Sequence, residues 1–260
     1  MQRRLTELNP NEIPTQFLPF LRDATVYDSS CSKAARVYFL DKGEGFYLKK
    51  SPKDTLSKEA ALTEFFHSKG LAPEVLAFES GEFDWMLTRR ALGEDCTDSM
   101  YLEDPKRLCD LTATLLRQLH ETDISGCPVN RTEDYLATAR ENYRHQRYDV
   151  TLFPDNWGYA TPEEAWAEIE TNGDHLAADT LLHGDYCLPN IMLDNWRFSS
   201  FIDLDAAGVG DKHIDLFWGM WSLNFNLKTD AYCERFLDAY GREGIEPERF
   251  RTVAAIEVFG

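Results

Sequence analysis

One segment of the sequence places imidazole, carboxylate and amide side chains between two apolar runs. Its residues are Leu181-Leu182-His183-Gly184-Asp185-Tyr186-Cys187-Leu188-Pro189-Asn190-Ile191-Met192-Leu193. A polar loop held between two buried strands usually serves a functional site. The Asp-x-x-x-x-Asn spacing from Asp185 to Asn190 is that of a kinase catalytic loop, in which the aspartate accepts the proton of the acceptor hydroxyl and the asparagine binds magnesium.

A second acidic segment, with the sequence Phe-Ile-Asp-Leu-Asp, follows this loop and ends in Asp203 and Asp205. Carboxylates at the end of an apolar strand are costly to bury without a cation, and a hard divalent metal is the simplest partner. Asp203 falls where the metal-binding aspartate of a kinase belongs, whereas Asp205 could contact a second metal or only its hydration shell. A His-Gly-Asp triplet alone is usually a turn, but the ordered set of Asp185, Asn190 and Asp203 predicts ATP-dependent phosphoryl transfer with Mg²⁺.

A lysine that could bind the phosphates lies in the strand-like run Phe46-Tyr47-Leu48-Lys49. Strand periodicity puts Tyr47 and Lys49 on one face, so Tyr47 could stack on adenine while Lys49 meets the phosphates. Glu59 lies on the apolar stripe of the next helix, where a charge needs a partner, and Lys49 is the kinase-type partner. An exposed strand lysine and a solvated glutamate at the helix edge are the alternatives.

The elements that must position these residues change in character along the chain. A hairpin at 36–50, a helix over 55–68 with Asp54 as its N-cap and Gly70 after it, and strands at 74–79 and 84–89 make the first part a small antiparallel sheet with one long helix. Later positions are mainly helical. The helices are predicted near 105–119, 133–145, 162–170, 212–225, 230–240 and 247–258, and the short strands at 180–182, 190–193 and 198–202. We therefore predict an α+β fold with a nucleotide-binding lobe at 1–90 and a catalytic and substrate-binding lobe at 91–260.

Charge and composition restrict the partners. The protein has 260 residues and a net charge of −18, and residues 1–90 are balanced, so the whole excess lies in residues 91–260. This distribution disfavours nucleic acid and would attract a cationic ligand, although a solvated acidic surface accounts for part of the excess. No apolar run follows Arg3 and Arg4, and the six cysteines form no C-x-x-C pair, so we expect a cytoplasmic protein with reduced thiols and without a zinc site.

Taken together, these segments resemble the aminoglycoside 3′-phosphotransferases, and the resemblance runs nearly the length of the chain. The catalytic loop and the segment around Asp203 carry it, as do the runs Leu119-His120-Glu121-Thr122-Asp123-Ile124-Ser125-Gly126-Cys127-Pro128 and Gly210-Asp211-Lys212-His213-Ile214-Asp215. The resemblance implies a two-lobed protein-kinase-like fold and a small-molecule kinase that confers antibiotic resistance. ATP would be the donor, and the sequence does not distinguish it from GTP.

The resemblance also implies further site residues. Ser30 and Ser32 would contact phosphate from a loop that could equally be a plain turn, and the nucleotide would also meet the hinge at Thr88 and Ile202 beside the metal aspartate. Asp215 would brace the catalytic loop. His183 is more simply a packed loop histidine than a proton-transfer group. Glu257 and Asp155 would bind the acceptor.

Two other functions stay open from the sequence. The loop around Asn156 is less acidic and shorter than in the family, which favours a kinase of another hydroxylated metabolite such as an amino alcohol or a sugar. A nucleotide-binding regulator without turnover is the other class, but the complete set of kinase residues argues against it. A protein kinase is disfavoured because the gap from Asp203 to Asp215 has little room for an activation segment.

Overall fold

The computed structural model describes residues 3–31, 35–149 and 158–260, and the chain divides into two units. The first unit comprises Met1–Glu94 and Met192–Asp205, and the second comprises Asp95–Ile191 and Ala206–Gly260. The division at residue 90 remains a prediction about domains. The first unit of the structure extends slightly past it and also includes the later segment that carries Asp203.

A six-stranded antiparallel sheet in the order β1-β2-β3-β4-β6-β5 forms most of the first unit. Its strands are β1 (Arg4–Leu5), β2 (Thr25–Asp28), β3 (Arg36–Asp41), β4 (Phe46–Pro52), β5 (Val75–Ser80) and β6 (Phe83–Arg89). Leu40, Leu48 and Leu87 point to one face and pack on Ile13 and Phe17 of the N-terminal segment. Each fully buried side chain of this kind contributes about 1.5–3 kcal/mol, so this layer stabilises the sheet, and the opposite face carries Lys49.

The long helix of the first unit, α2, spans Ser57–Ser68 and buries Glu59 together with Leu62 and Phe66. The predicted helix start was wrong, because Asp54 has a φ of +65° and does not cap the helix. Instead, the carboxylate of Asp84 on β6 accepts a hydrogen bond from the Leu56 amide at 2.9 Å. A side chain from a distant strand therefore satisfies the N-terminal amide that a local cap would bind.

The remaining strands are short and flank the predicted catalytic segments. They are β7 (Glu94–Asp95), β8 (Thr180–Leu182), β9 (Ile191–Asp194), β10 (Arg197–Phe201) and β11 (Gly208–Gly210). β8 and β11 pair antiparallel, and β9 lies between β10 and β7 in a three-stranded sheet. The three residues of β8 are fully or nearly fully buried, so β8 anchors the loop that follows it.

Helices make up most of the second unit, as the sequence predicts. Their starts agree with local capping signals, since Asp104 accepts a hydrogen bond from the Arg107 amide and Thr161 accepts one from the Glu164 amide. The remaining helices of the described residues are α1 (Leu18–Leu21, in the first unit), α3 (Ser99–Leu102), α4 (Pro105–His120), α5 (Arg131–Arg144), α6 (Pro162–Asn172), α7 (His213–Leu227), α8 (Cys233–Tyr240) and α9 (Pro247–Glu257). None of the helices in the described ranges is long and apolar enough to cross a membrane.

Candidate active site

The predicted ion pair on the sheet of the first unit is present. Lys49 Nζ on β4 donates to both carboxylate oxygens of Glu59 on α2, at 2.9 Å and 2.7 Å. The side chains are 18% and 5% exposed, so neither an exposed strand lysine nor a solvated glutamate describes them. The contact forms because α2 turns Glu59 toward the sheet face on which Lys49 stands.

Burial and charge act in opposite directions on this pair. Burial raises the pKa of Glu59 to about 7, although the neighbouring Lys49 ammonium lowers it. Burial by itself would lower the pKa of Lys49, but the carboxylates of Glu59 and Asp203 raise it above its usual value. Lys49 therefore stays cationic over the physiological pH range, and its contact with phosphate remains a prediction.

Asp203 belongs to the same unit and shares this lysine. Its Oδ1 accepts a hydrogen bond from Lys49 Nζ at 2.9 Å, and its side chain is 54% exposed. The backbone of Asp203 has a φ of +61°, a left-handed conformation that costs a non-glycine residue roughly 1 kcal/mol or more and that is concentrated at functional sites. In this backbone conformation, the exposed carboxylate of Asp203 lies beside Lys49.

The other residues of the first unit that were predicted to bind the nucleotide have different surroundings. Tyr47 and Thr88 lie opposite each other in β4 and β6, on the face that carries Lys49. Ile202 is partly buried and directly precedes Asp203. The Ser30 hydroxyl accepts a hydrogen bond from the Val37 amide at 2.9 Å, which is the use expected of a serine that shapes a turn. Ser32 lies outside the described residues.

In the second unit, the loop after β8 brings Asp185 and Asn190 into direct contact. Asn190 Nδ2 donates to the Asp185 carbonyl at 3.0 Å and to its Oδ2 at 2.8 Å. Gly184 has a φ of +81°, and a Cβ there would lie 1.8 Å from the carbonyl oxygen of Ala206, so only glycine fits. The local backbone therefore fixes the position of the predicted base.

Asp215, at the start of α7, binds the backbone of this loop. Its carboxylate accepts hydrogen bonds from the His183 and Gly184 amides, both at 2.7 Å. These are the contacts that its predicted bracing role requires. The His183 side chain is fully buried, and its Nδ1 lies 3.4 Å from the Asp185 amide, in agreement with a packed loop histidine.

Two residues that were given no role from the sequence extend this brace. His120 Nε2 lies 3.2 Å from Asp215 Oδ2, and its Nδ1 lies 2.8 Å from the hydroxyl of Tyr240. All three side chains are buried. The only sequence signal for them was the Leu119-His120-Glu121 segment, because a contact between α4 and α8 leaves no local pattern.

The predicted acceptor residue Glu257 is at the end of α9. Its Oε1 accepts hydrogen bonds from the hydroxyl of Tyr135 and from the indole of Trp218, the latter at 2.9 Å. Burial raises the pKa of Glu257 to about 7; the charge of Asp185 adds to the rise, while the two hydrogen bonds oppose it. One carboxylate oxygen of Glu257 is thereby fixed. Asp155 lies outside the described residues.

The two residues predicted to bind magnesium each carry an oxygen donor of the kind that a hard cation prefers. In the second unit, Nδ2 of Asn190 contacts Asp185, and in the first unit, Oδ1 of Asp203 contacts Lys49. No cluster of three or more His, Cys, Asp or Glu residues suited to a metal occurs within the described part of the chain. Magnesium needs no such cluster, since it is usually bound by one or two protein groups with phosphate and water oxygens.

Comparisons with known proteins show the family to which the chain belongs. The model of the phosphotransferase enzyme family, APH, matches residues 32–252. A probable aminoglycoside 3′-phosphotransferase of Lactococcus lactis is 46% identical over 255 residues, which is 97% of each chain. Among solved structures, an aminoglycoside-3′-phosphotransferase of type VIII has a TM-score of 0.77 at 22% identity, over 91% of this chain and 94% of that one. APH(3″)-Id from Streptomyces rimosus, solved with ADP and streptomycin, has a TM-score of 0.75 at 23% identity and covers 94% and 97%.

The fold is therefore that of the kinase-like phosphotransferases, and the predicted α+β class is confirmed. The chain belongs to the phosphotransferase enzyme family, and its predicted resemblance to the aminoglycoside 3′-phosphotransferases is confirmed. It is thus an enzyme of the small-molecule kinase type.

Proposed function

We propose that this enzyme transfers the γ-phosphoryl group of ATP to a hydroxyl of an aminoglycoside and thereby inactivates the antibiotic. The observation that carries the proposal is the 46% identity over nearly the whole chain to a probable aminoglycoside 3′-phosphotransferase. The site residues support it, because each part that phosphoryl transfer requires is present in this chain. A solved structural neighbour is described with ADP and streptomycin, which supports ATP as the donor and a cationic acceptor.

In this proposal, Asp185 accepts the proton of the acceptor hydroxyl. Its carboxylate is held by Asn190 Nδ2 at 2.8 Å, and the backbone before it is held by Asp215, so the base needs little reorganisation when the acceptor binds. Magnesium, carried by Asn190 and Asp203, would neutralise charge on the triphosphate.

Lys49 supplies the protein's own positive charge to the phosphates. Glu59 keeps the ammonium in place through two hydrogen bonds, and Lys49 also donates to Asp203, the carboxylate to which this proposal assigns magnesium. Stabilisation of charge and positioning, rather than covalent chemistry by the protein, would account for most of the acceleration.

Glu257 would bind an ammonium group of the acceptor. At a pH above about 7 its carboxylate is charged, and the two donors on Oε1 keep it aligned. The acidic excess of residues 91–260 would raise the local concentration of such a polycation. We also propose that the enzyme acts in the cytoplasm, where its co-substrate ATP is available.

A panel of acceptors tests the choice of substrate. Coupled ADP release with Mg²⁺ and ATP would be followed with several aminoglycosides, with an amino alcohol such as choline, and with neutral sugars. Turnover that is specific to aminoglycosides supports the proposal. Turnover only on another acceptor would keep the kinase chemistry and reject the aminoglycoside assignment. Turnover should be lost in Asp185→Asn, which removes the proposed base, and kept in Asp194→Asn, which changes an exposed aspartate and controls for nonspecific effects of charge.

A further inference from the structure

Three aromatic side chains form a row on the face of the six-stranded sheet that carries Lys49. Tyr27, Phe39 and Tyr47 lie directly opposite one another in β2, β3 and β4. Their neighbouring ring centroids are 6.3 Å and 5.3 Å apart. The row ends at Tyr47, two positions before Lys49, so a planar ring and a phosphate-binding ammonium share one surface.

Arg3, just before the edge strand β1, reaches across this row. Its guanidinium carbon is 3.8 Å from the centroid of the Phe39 ring, and its Nη2 donates a hydrogen bond to the Tyr47 hydroxyl at 3.0 Å. Stacking of a guanidinium on an aromatic face and a hydrogen bond from the same planar group are contacts that arginine can make together. Arg3 therefore links the rings of two different strands.

Phe39 is a fixed support for this link. Its side chain is only 3% exposed, and a Cβ on Gly45 would come within 2.9 Å of its ring. The Arg90 guanidinium is 5.8 Å from the same centroid. Tyr47, by contrast, is only partly buried, so its ring orientation depends more on the bond that Arg3 makes to its hydroxyl.

We propose that Arg3 is a positioning residue of the nucleotide site: by tying the Tyr47 ring to Phe39, it fixes the surface on which the purine base of the nucleoside triphosphate stacks. The inference rests on the proposed function, since it requires Tyr47 to face the base. The N-terminal segment that carries Arg3 would then determine the affinity for the nucleotide together with the strands of the six-stranded sheet.

The neighbouring residue Arg4 provides a matched control. Arg4 and Arg3 carry the same charge in adjacent positions, but strand alternation points Arg4 to the opposite face of the sheet, where it lies across from Asp28. If Arg3 merely held β1 against the sheet or supplied positive charge, replacement of either arginine would have a similar effect.

The experiment is isothermal titration calorimetry of the whole protein with Mg²⁺ and ADP, together with steady-state kinetics. Arg3→Gln is expected to weaken ADP binding about three- to tenfold, which is part of the contribution of one cation–π contact and one charge-assisted hydrogen bond, because Arg3 acts on the base only through Tyr47. Arg3→Lys should fall between Arg3→Gln and wild type, because it keeps the cation and loses the planar fork. Arg4→Gln should bind as wild type does, and the KM for the acceptor should not change in any of these variants.

A double variant tests the hydrogen bond from Arg3 to the Tyr47 hydroxyl. In a Tyr47→Phe background, which keeps the ring and removes the hydroxyl, Arg3→Gln should cost less affinity than it does in wild type. Equal ADP affinities of the Arg3→Gln and Arg4→Gln proteins would overturn the inference, as would a loss in Arg3→Gln that appears equally in the KM for the acceptor. If the wild-type protein does not bind ADP, the proposed function is rejected, and this inference with it. If wild type binds ADP but the two arginine variants do not differ, only this inference is rejected.

Discussion

The ion pair of Lys49 and Glu59 should have a measurable coupling energy. Two hydrogen bonds of 2.9 Å and 2.7 Å join the groups, and their side chains are 18% and 5% exposed. Unit charges about 4 Å apart attract by about 4 kcal/mol at an effective dielectric constant near 20, and contacting residues in double-mutant cycles couple by about 0.5–3 kcal/mol. We expect a coupling of about 2 kcal/mol at a pH of about 8, where Glu59 is ionised.

The assay is chemical denaturation of wild type, Lys49→Met, Glu59→Gln and the double variant. The double variant should lose less free energy of unfolding than the sum of the two single losses. Because burial raises the pKa of Glu59 to about 7, the coupling should be present above that pH and decline as the pH falls through it. The total free energy of unfolding need not decline over the same pH range. Protonation of an acid whose pKa is raised by folding favours the folded state.

An exposed pair in the same protein serves as the control. Arg235 donates to Asp110 through two hydrogen bonds of 2.7 Å and 2.5 Å, but the side chains are 43% and 46% exposed. Water screens such a pair, so its coupling should be much weaker than that of the buried pair. The reasoning is refuted if the coupling of Lys49 and Glu59 does not exceed that of Arg235 and Asp110, or if it is unchanged between about pH 8 and about pH 5.5.

Three further predictions concern the second unit. The KM for a cationic acceptor should rise as the pH falls through about 7, where Glu257 gains a proton, and Glu257→Gln should show a high KM without this step in steady-state pH profiles. Gly184→Ala should lose at least about 2 kcal/mol of unfolding free energy by denaturant titration, because its Cβ would overlap the Ala206 carbonyl oxygen; a wild-type transition would contradict the geometry. Tyr240→Phe, which removes the hydroxyl bound to His120, should lower kcat about fivefold with an unchanged KM for ATP, and an unaltered kcat would show that the brace ends at His120.

The residues that could be predicted from the sequence are those whose roles depend on short, fixed spacing. The contact of Asp185 with Asn190 lies within one loop, and strand periodicity is enough to place Tyr47 and Lys49 on one face. The pairing of Lys49 with Glu59 was predictable because a charge on an apolar helical stripe has few ways to be satisfied. Local sequence pattern and the cost of burying a charge were sufficient to predict these contacts.

The features that were missed depend on contacts between distant parts of the chain. Asp84 caps α2 from 28 positions away, so the aspartate adjacent to the helix was the wrong choice. Tyr135 and Trp218 hold Glu257 from two other helices, and neither has a neighbouring polar motif that signals the role. Periodicity shows which face of an element is buried, but not which residue of another element it meets.

The proton-accepting role of Asp185 is the central claim, and Asp185→Asn tests it most directly. The product of each reaction would be examined by mass spectrometry for a phosphoryl group on an aminoglycoside, and ADP affinity would be measured on the same samples. We predict that the variant binds ADP as wild type does while its transfer rate falls by about 10²–10⁴-fold, the contribution typical of a positioned general base. A variant that still phosphorylates the acceptor within about tenfold of the wild-type rate would contradict the assignment of Asp185 as the base.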